Sequence, residues 1–338
     1  MSNLKFGIVG TGAIGKEHME RLANKINGSE VVAVTDVNQA GAEEAVKILG
    51  INARVFANDD ELIADPNVDA VVVTSPGFAH ESTVLKAIAA GKPVFVEKPL
   101  AMTIKSCRNI MAAEEKAGKR LVQVGFQRRY DSGYKKLKDA VDSGFIGEPL
   151  MVHCSHRNAT VPESYTTDMA IKDTMVHEID ALNWLLGAEY ASIQVLFPKK
   201  TKLAFPHLAD PQLVIMETKG GVLITVEIFV NCQFGYDIQC EVVGTEGTVK
   251  LPNPESLVFK KNEVEGINLM NDWKLRFIDS YDVEFQQFVH DVKATGSPTG
   301  PTSWDGYVAA LVCEAGVQSQ ERGEKVIVVL EEKPNFYK

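Results

Sequence analysis

The chain has 338 residues, 45% of them hydrophobic and 24% charged, a length that suits two domains and a composition that suits a globular enzyme. A net charge of −10 argues against partners that are polyanions, whether nucleic acid or an anionic membrane surface. No apolar run approaches the ~20 residues needed to cross a bilayer. The five scattered cysteines, with no C-x-x-C pair, form neither a disulfide framework nor a zinc site.

The first predicted strand, 4–9 "LKFGIV", lies so near the start that no signal-peptide pattern precedes it, and a cytoplasmic location is expected. Directly after it comes Gly10-Thr11-Gly12-Ala13-Ile14-Gly15, a G-x-G-x-x-G at the mouth of a predicted helix, 15–26. Gly10 permits a tight turn, Gly12 lets backbone approach a pyrophosphate, and Gly15 lets helix pack on strand. The helix N-terminus then offers free N–H groups to phosphates. The second strand, 30–36, ends in Asp36, an acid placed to accept hydrogen bonds from both hydroxyls of an adenosine ribose. That carboxylate would repel a 2′-phosphate, and Val37-Asn38 supply no compensating arginine. The expected cofactor is therefore NAD rather than NADP.

A helix at 39–49 and a strand at 69–74 follow, the latter running into Thr74-Ser75-Pro76, with His80 on the next helix, 80–90. Ligands bind at the carboxyl ends of parallel strands, so these residues are expected near the cofactor's ribose and nicotinamide. Ordinary turn chemistry accounts for Ser, Thr and Pro at a strand end equally well. The strand 93–97 breaks into Glu97-Lys98-Pro99 at the same edge. There a lysine can donate to a substrate hydroxyl and favour a developing alkoxide, Glu97 can pair with it or touch a ribose, and Pro99 restricts the backbone. A helix at 103–117 and a strand at 120–124 complete an alternation that predicts a doubly wound parallel sheet.

Beyond 147–150 the rhythm changes to longer strands at 151–157, 191–197, 212–218, 222–230, 236–243 and 247–251, joined by "KGG" and "GTEG" turns. This is the pattern of an antiparallel sheet. In 222–230, alternate residues on both faces are too apolar for an open solvated sheet, so one face is expected on helices and the other on a partner subunit or an intrachain cover. Helices at 168–186, 281–294 and 303–322 are assigned to this half. The expected domains are 1–125, binding the cofactor, and 126–338, an α+β domain binding substrate and making the oligomer.

On the helix 168–186, Asp173, His177 and Asp180 fall at i, i+4 and i+7 on one face. An acid one turn from a histidine orients the ring and raises its basicity, which makes His177 a candidate general base. A capped surface helix with an incidental histidine would read the same way. A zinc site does not fit, because Ala181 stands where a zincin helix needs its second histidine, and no metal is expected.

Together "GTGAIGKEH", "EKPLA" and "DTMVHEIDALNWL" resemble the Gfo/Idh/MocA oxidoreductase family along the whole chain. "VAVTDVNQ", "LVQVGFQRRYDSGY", "MVHCSHRN" and "NCQFGYDIQCE" resemble its bacterial inositol 2-dehydrogenase group. The resemblance implies a Rossmann domain followed by an α+β domain with a large, open, mostly antiparallel sheet, and a homotetramer built through those sheets. It implies Lys98, Asp173 and His177 as the catalytic set, with Arg128, His156, Asp180 and Tyr236 lining the polyol pocket. The reaction implied is NAD-dependent oxidation of myo-inositol to 2-keto-myo-inositol. The same chemistry on scyllo-inositol, another isomer or a pyranose remains open, as does a redox-inactive sensor of NAD or sugar.

Overall fold

The computed structural model describes residues 2–253 and 258–338. They divide into two compact units. The first comprises Met1–Phe126, Tyr281–Ala310 and Glu332–Lys338; the second comprises Gln127–Ser280 and Leu311–Glu331.

The first unit alternates β1 (Leu4–Val9), α1 (Ala13–Asn24), β2 (Ser29–Thr35), α2 (Gln39–Leu49), β3 (Arg54–Val55), α3 (Asp59–Ala64), β4 (Ala70–Val73), α4 (Gly77–Ala89), β5 (Val94–Glu97), α5 (Ile104–Ala117) and β6 (Val122–Gly125). The six strands are parallel, in the order β3-β2-β1-β4-β5-β6. Strand order reverses between β1 and β4, so their carboxyl ends form the crevice where such sheets bind ligands. All of β4 and β5 is buried, because helices cover both faces, and this explains their unbroken valine-rich runs. Asn38, Asn58 and Thr103 cap α2, α3 and α5 by accepting the N–H of Gly41, Glu61 and Ser106. The short β3 and α3 carry too little periodicity to be expected from sequence.

The second unit contains α6 (Ser132–Asp142), β7 (Pro149–Arg157), a π-helical turn (Ala170–Met175), α7 (Val176–Leu186), β8 (Tyr190–Leu196), β9 (Gln212–Thr218), β10 (Leu223–Phe229), β11 (Asp237–Gly244) and β12 (Thr248–Lys250). A separate hairpin pairs β13 (Val258–Lys261) with β14 (Val264–Ile267). The helices α8 (Trp273–Thr295) and α9 (Ser303–Arg322) follow, then β15 (Val326–Ile327). The seven-stranded sheet runs β12-β11-β7-β10-β9-β8-β15, and only the β7–β10 pair is parallel. Ile224, Val226 and Ile228 of β10 are fully buried on one face. Leu223, Thr225, Glu227 and Phe229 on the other are exposed or half-exposed.

The helix expected at 281–294 with the second half belongs to the first unit. Phe285, Phe288, Val289 and Val292 of α8 join Phe6, Ile8, Val31, Val72 and Phe95 in one core, with the Phe95 and Phe285 rings 4.2 Å apart. An apolar helical stripe demands cover but does not say which sheet supplies it. The C-terminal segment is tied in through Glu114. One of its carboxylate oxygens accepts the N–H of Leu121 and Val122, and the other accepts the hydroxyls of Ser303 and Tyr337.

Candidate active site

The glycine loop divides its labour as the spacing requires. Gly10 has φ +101°, and a Cβ there would lie 2.5 Å from the Ser75 backbone N. A Cβ on Gly15 would lie 2.2 Å from the Gly10 carbonyl, so α1 packs on the loop only without a side chain. Around Gly12, the N-cap of α1, a Cβ would meet no protein atom within 4 Å, and no side chain caps the helix. The first and third glycines serve the protein; the second leaves room for a phosphate beside the N–H groups of exposed Ala13 and half-buried Ile14. Asp36, just past the end of β2, accepts the Thr11 N–H at 2.6 Å and the Asn38 N–H at 2.9 Å. Its neighbour Val37 is fully exposed. These residues fit an NAD adenosine end.

The other strand-end residues turn partly inward. The Thr74 hydroxyl donates to the Gly10 carbonyl at 2.6 Å, bracing the glycine loop. His80 is buried, with its ring nitrogens 2.8 Å from the carbonyls of Pro99 and Ser75. Burial lowers its pKa, partly offset by those two carbonyls. His80 thus joins the segments that follow β4 and β5 at the sheet's ligand edge. Exposed Pro76 is the N-cap of α4. The Ser75 hydroxyl is buried without a hydrogen-bond partner among the described residues, a polar atom suited to a bound polar group.

At the end of β5, Glu97 is buried and Lys98 half-buried. One Glu97 oxygen lies 2.8 Å from His18 Nε2; the other accepts the backbone N–H of Lys98 at 3.1 Å. The Lys98–Pro99 peptide is cis. Through these two contacts Glu97 bridges α1 and the Lys98 backbone.

In the second unit, Asp173 lies exposed on the π-helical turn, and His177 is half-buried in the first turn of α7. The spacing alone predicts a regular helix across both. π turns recur at functional sites, and Tyr165 braces this one through a 2.6 Å hydroxyl contact with Thr174. Near the His177 ring, 6.4 Å between centroids, stands His156, and Tyr236 packs edge-on to His156 at 5.8 Å.

Arg128 is fully buried, donating to Glu178 and Tyr134, with a second guanidinium nitrogen 3.1 Å from His156 Nδ1. Both Glu178 oxygens lie 3.0 Å from that same ring nitrogen. Burial alone would push the Glu178 carboxyl up, but Arg128 and His156 outweigh it and hold it below its ordinary value. Burial also drives the Tyr236 hydroxyl up to about 12, against the opposing charge of Arg128. Asp180 accepts both Arg129 Nε, at 3.0 Å, and Arg129 Nη2. The expected pocket-lining Arg128 and Asp180 are thus anchors of two buried ion pairs.

Glu178 and Arg129 escape a reading of the chain alone. The signal lay in "VHEIDALNWLL", whose acids sit in a helix that is otherwise apolar and demand buried cations. Adjacent Arg128 and Arg129 supply them.

Two family models match the chain: an oxidoreductase family with an NAD-binding Rossmann fold over residues 4–126, and its C-terminal alpha/beta domain over 138–328. The inositol 2-dehydrogenase/D-chiro-inositol 3-dehydrogenase of Halalkalibacterium halodurans is 57% identical over 99% of this chain and 96% of its own. The inositol 2-dehydrogenase of Serratia proteamaculans is 56% identical over 99% of both. Among solved structures, myo-inositol dehydrogenase from Lactobacillus casei, in complex with NAD(H) and myo-inositol, matches with TM-score 0.98 and 43% identity over 100% of both chains. Scyllo-inositol dehydrogenase from the same organism, with NAD(H) and scyllo-inositol, matches with TM-score 0.88 and 26% identity over 97% of this chain and 99% of that one. The glycine loop, the acid after β2 and the two matched domains make this chain a member of the Gfo/Idh/MocA oxidoreductase family, with an NAD-binding Rossmann domain at its N-terminus.

Proposed function

We propose that the chain oxidises one ring hydroxyl of myo-inositol to the ketone, giving 2-keto-myo-inositol, NADH and a proton. The observation that carries this reading is identity of 56–57%, across nearly the whole chain, to two proteins named inositol 2-dehydrogenases. NAD, when bound, supplies the hydride acceptor. The chain's own residues hold the sugar and manage the proton.

Lys98 donates to the reacting hydroxyl, and its charge favours the alkoxide that forms as the C–H bond breaks. His177 takes the hydroxyl proton, and Asp173 supports the base. His156 and Tyr236 hold neighbouring hydroxyls, while Arg128 and Asp180 act through the ion pairs that set this wall. The Gly10–Gly15 loop holds the pyrophosphate, Asp36 the adenosine ribose, and Ser75 a polar edge of the cofactor.

NAD reduction with a panel of inositols and pyranoses tests the substrate: myo-inositol is expected to give the highest kcat/KM, and no turnover of any inositol overturns the reading. Scyllo-inositol is the second candidate, because a neighbour of the same fold binds it; the 43% against 26% identity of the two Lactobacillus casei enzymes favours myo-inositol. Lys98→Ala is expected to lower kcat by about 100-fold or more, the scale of a general acid–base or electrostatic contact. NADH binding should persist, since its affinity comes from the glycine loop and Asp36.

The chain is read as a cytoplasmic homotetramer assembled through the open sheet faces. Among the described residues no disulfide joins any of the five cysteines, which suits a reducing compartment. Among the described residues no helix is long and apolar enough to cross a membrane. The outer face of the second-unit sheet carries exposed Met151, Leu196 and Leu223, an apolar surface suited to a second copy.

A further inference from the structure

The buried histidine of α1 presents no surface to a ligand, yet its surroundings specify it closely. His18 is fully buried, packed against Phe95, Tyr281 and Phe285, with ring centroids 5.8, 5.6 and 4.7 Å away. Its Nδ1 lies 2.7 Å from Arg21 Nη1. A guanidinium offers only donors, so Nδ1 must carry the lone pair, and the proton of the neutral ring sits on Nε2. That N–H points at Glu97 Oε1, 2.8 Å away. Burial, which keeps the ring uncharged, acts in the same sense. Arg21 is held in turn by Asp282 at 2.5 Å.

The Glu97 carboxylate is thus clamped between two donors, the His18 ring on one oxygen and the Lys98 backbone N–H on the other. A free carboxylate at a strand end rotates; one gripped on both sides does not, and the main chain at Lys98 is fixed with it. His18 and Arg21 also lie on the helix whose N-terminus opens at Gly12. One rigid helix therefore carries the phosphate-binding end and the clamp on the lysine's backbone.

We infer that His18 is a positioning residue for the reaction: through Glu97 it fixes the start of the Lys98 side chain relative to the dinucleotide loop, without touching substrate or cofactor. The inference rests on the role proposed for Lys98. It requires hydrogen-bond donation at the position of Nε2, and neither bulk nor charge there suffices.

Three variants test it. A glutamine amide reaches the place of Nε2 and can donate to Glu97. An asparagine amide reaches only the place of Nδ1 and leaves Glu97 short of a donor. Leucine fills the volume and donates nothing. The expected order of kcat is wild type, then His18→Gln, then His18→Asn and His18→Leu, with the last two lowered about 100-fold, the scale of a small misplacement of a reacting group. KM for NAD and the NADH dissociation constant, read by fluorescence, are expected to move less than about threefold, because the glycine loop and Asp36 are unchanged in all three variants. A residue with a merely structural role would instead lower melting temperature and all kinetic constants together, with no advantage for glutamine over asparagine. Equal kcat in the Gln and Asn variants overturns the inference, and that comparison stands even if His18→Leu fails to fold. Lys98→Ala, measured alongside, isolates the underlying reading: turnover surviving there overturns the lysine's role. Loss in Lys98→Ala with equal Gln and Asn variants overturns the His18 inference alone.

Discussion

Asp36 and Val37 sit side by side past β2, the acid gripped by the N–H groups of Thr11 and Asn38 and the valine fully exposed. The double substitution Asp36→Ser with Val37→Arg removes a repulsive charge and adds a phosphate partner. The ratio of kcat/KM for NADP to that for NAD is expected to rise by roughly 10- to 100-fold, the worth of a charge-assisted hydrogen bond. An unchanged ratio would place discrimination elsewhere. The Arg128–Glu178–His156 cluster makes a different claim, about stability. Arg128→Met strands a buried carboxylate and is expected to cost about 3–5 kcal/mol in urea unfolding, as when one partner of a buried ion pair is lost. Because the folded pKa of Glu178 is depressed, its contribution is complete above the unfolded value near 4.5 and disappears as pH falls through the lower folded value. Melting temperatures from pH 7 downward are therefore expected to fall less steeply in Glu178→Gln than in the wild type. The residues that could be read from the chain alone are those whose partners are close in sequence, such as Gly10, Gly12 and Gly15. Glu178 lies 50 residues from Arg128, and His18 79 from Glu97, so no local pattern joins them.

Single elements carry the next layer. The α1 helix sits where it does because Gly15 lets it approach the Gly10 carbonyl, and a Cβ at 2.2 Å would push it off. Gly15→Ala is thus expected to weaken NADH binding at least about tenfold and to cost about 1–3 kcal/mol of stability, the range for overpacking a tight contact. Fluorescence titration and thermal melts check both; unaltered binding would mean that the helix tolerates displacement. The element 168–186 shows where periodicity stops informing. Its apolar spacing announces a helix, but the first turn is π-helical, because local hydrogen-bond register depends on what the turn packs against. Asp173 and His177 consequently stand at the junction of two helical geometries, the first exposed and the second half-buried.

For the molecule as a whole, the first unit is assembled from three separated stretches of chain. A fragment ending at Phe126 would leave Phe6, Val72 and Phe95 without the Phe285, Phe288, Val289 and Val292 that complete their core. Such a fragment is expected to show no cooperative melt and no NADH binding, and the full chain is expected to show both. Cooperative unfolding of the fragment would show that the parallel sheet needs no C-terminal cover. Removing residues 332–338 is a milder version, since it deprives Glu114 of the Tyr337 hydroxyl, and a loss of about 1 kcal/mol or more is expected from that hydrogen bond and its packing.

Strand–helix alternation, the glycine spacing, the acid after β2 and the break at Glu97–Lys98 were legible in order along the chain, because secondary structure and a phosphate loop are governed by neighbours a few residues apart. The outer limits of α8 and the owner of its apolar stripe were not, nor were the inward turn of Thr74, His80 and Glu97 and the pairing of Arg128 and Arg129 with acids on α7. Those depend on which groups meet across the folded core, where burial forbids an unpaired charge or donor and so selects partners that sequence distance conceals.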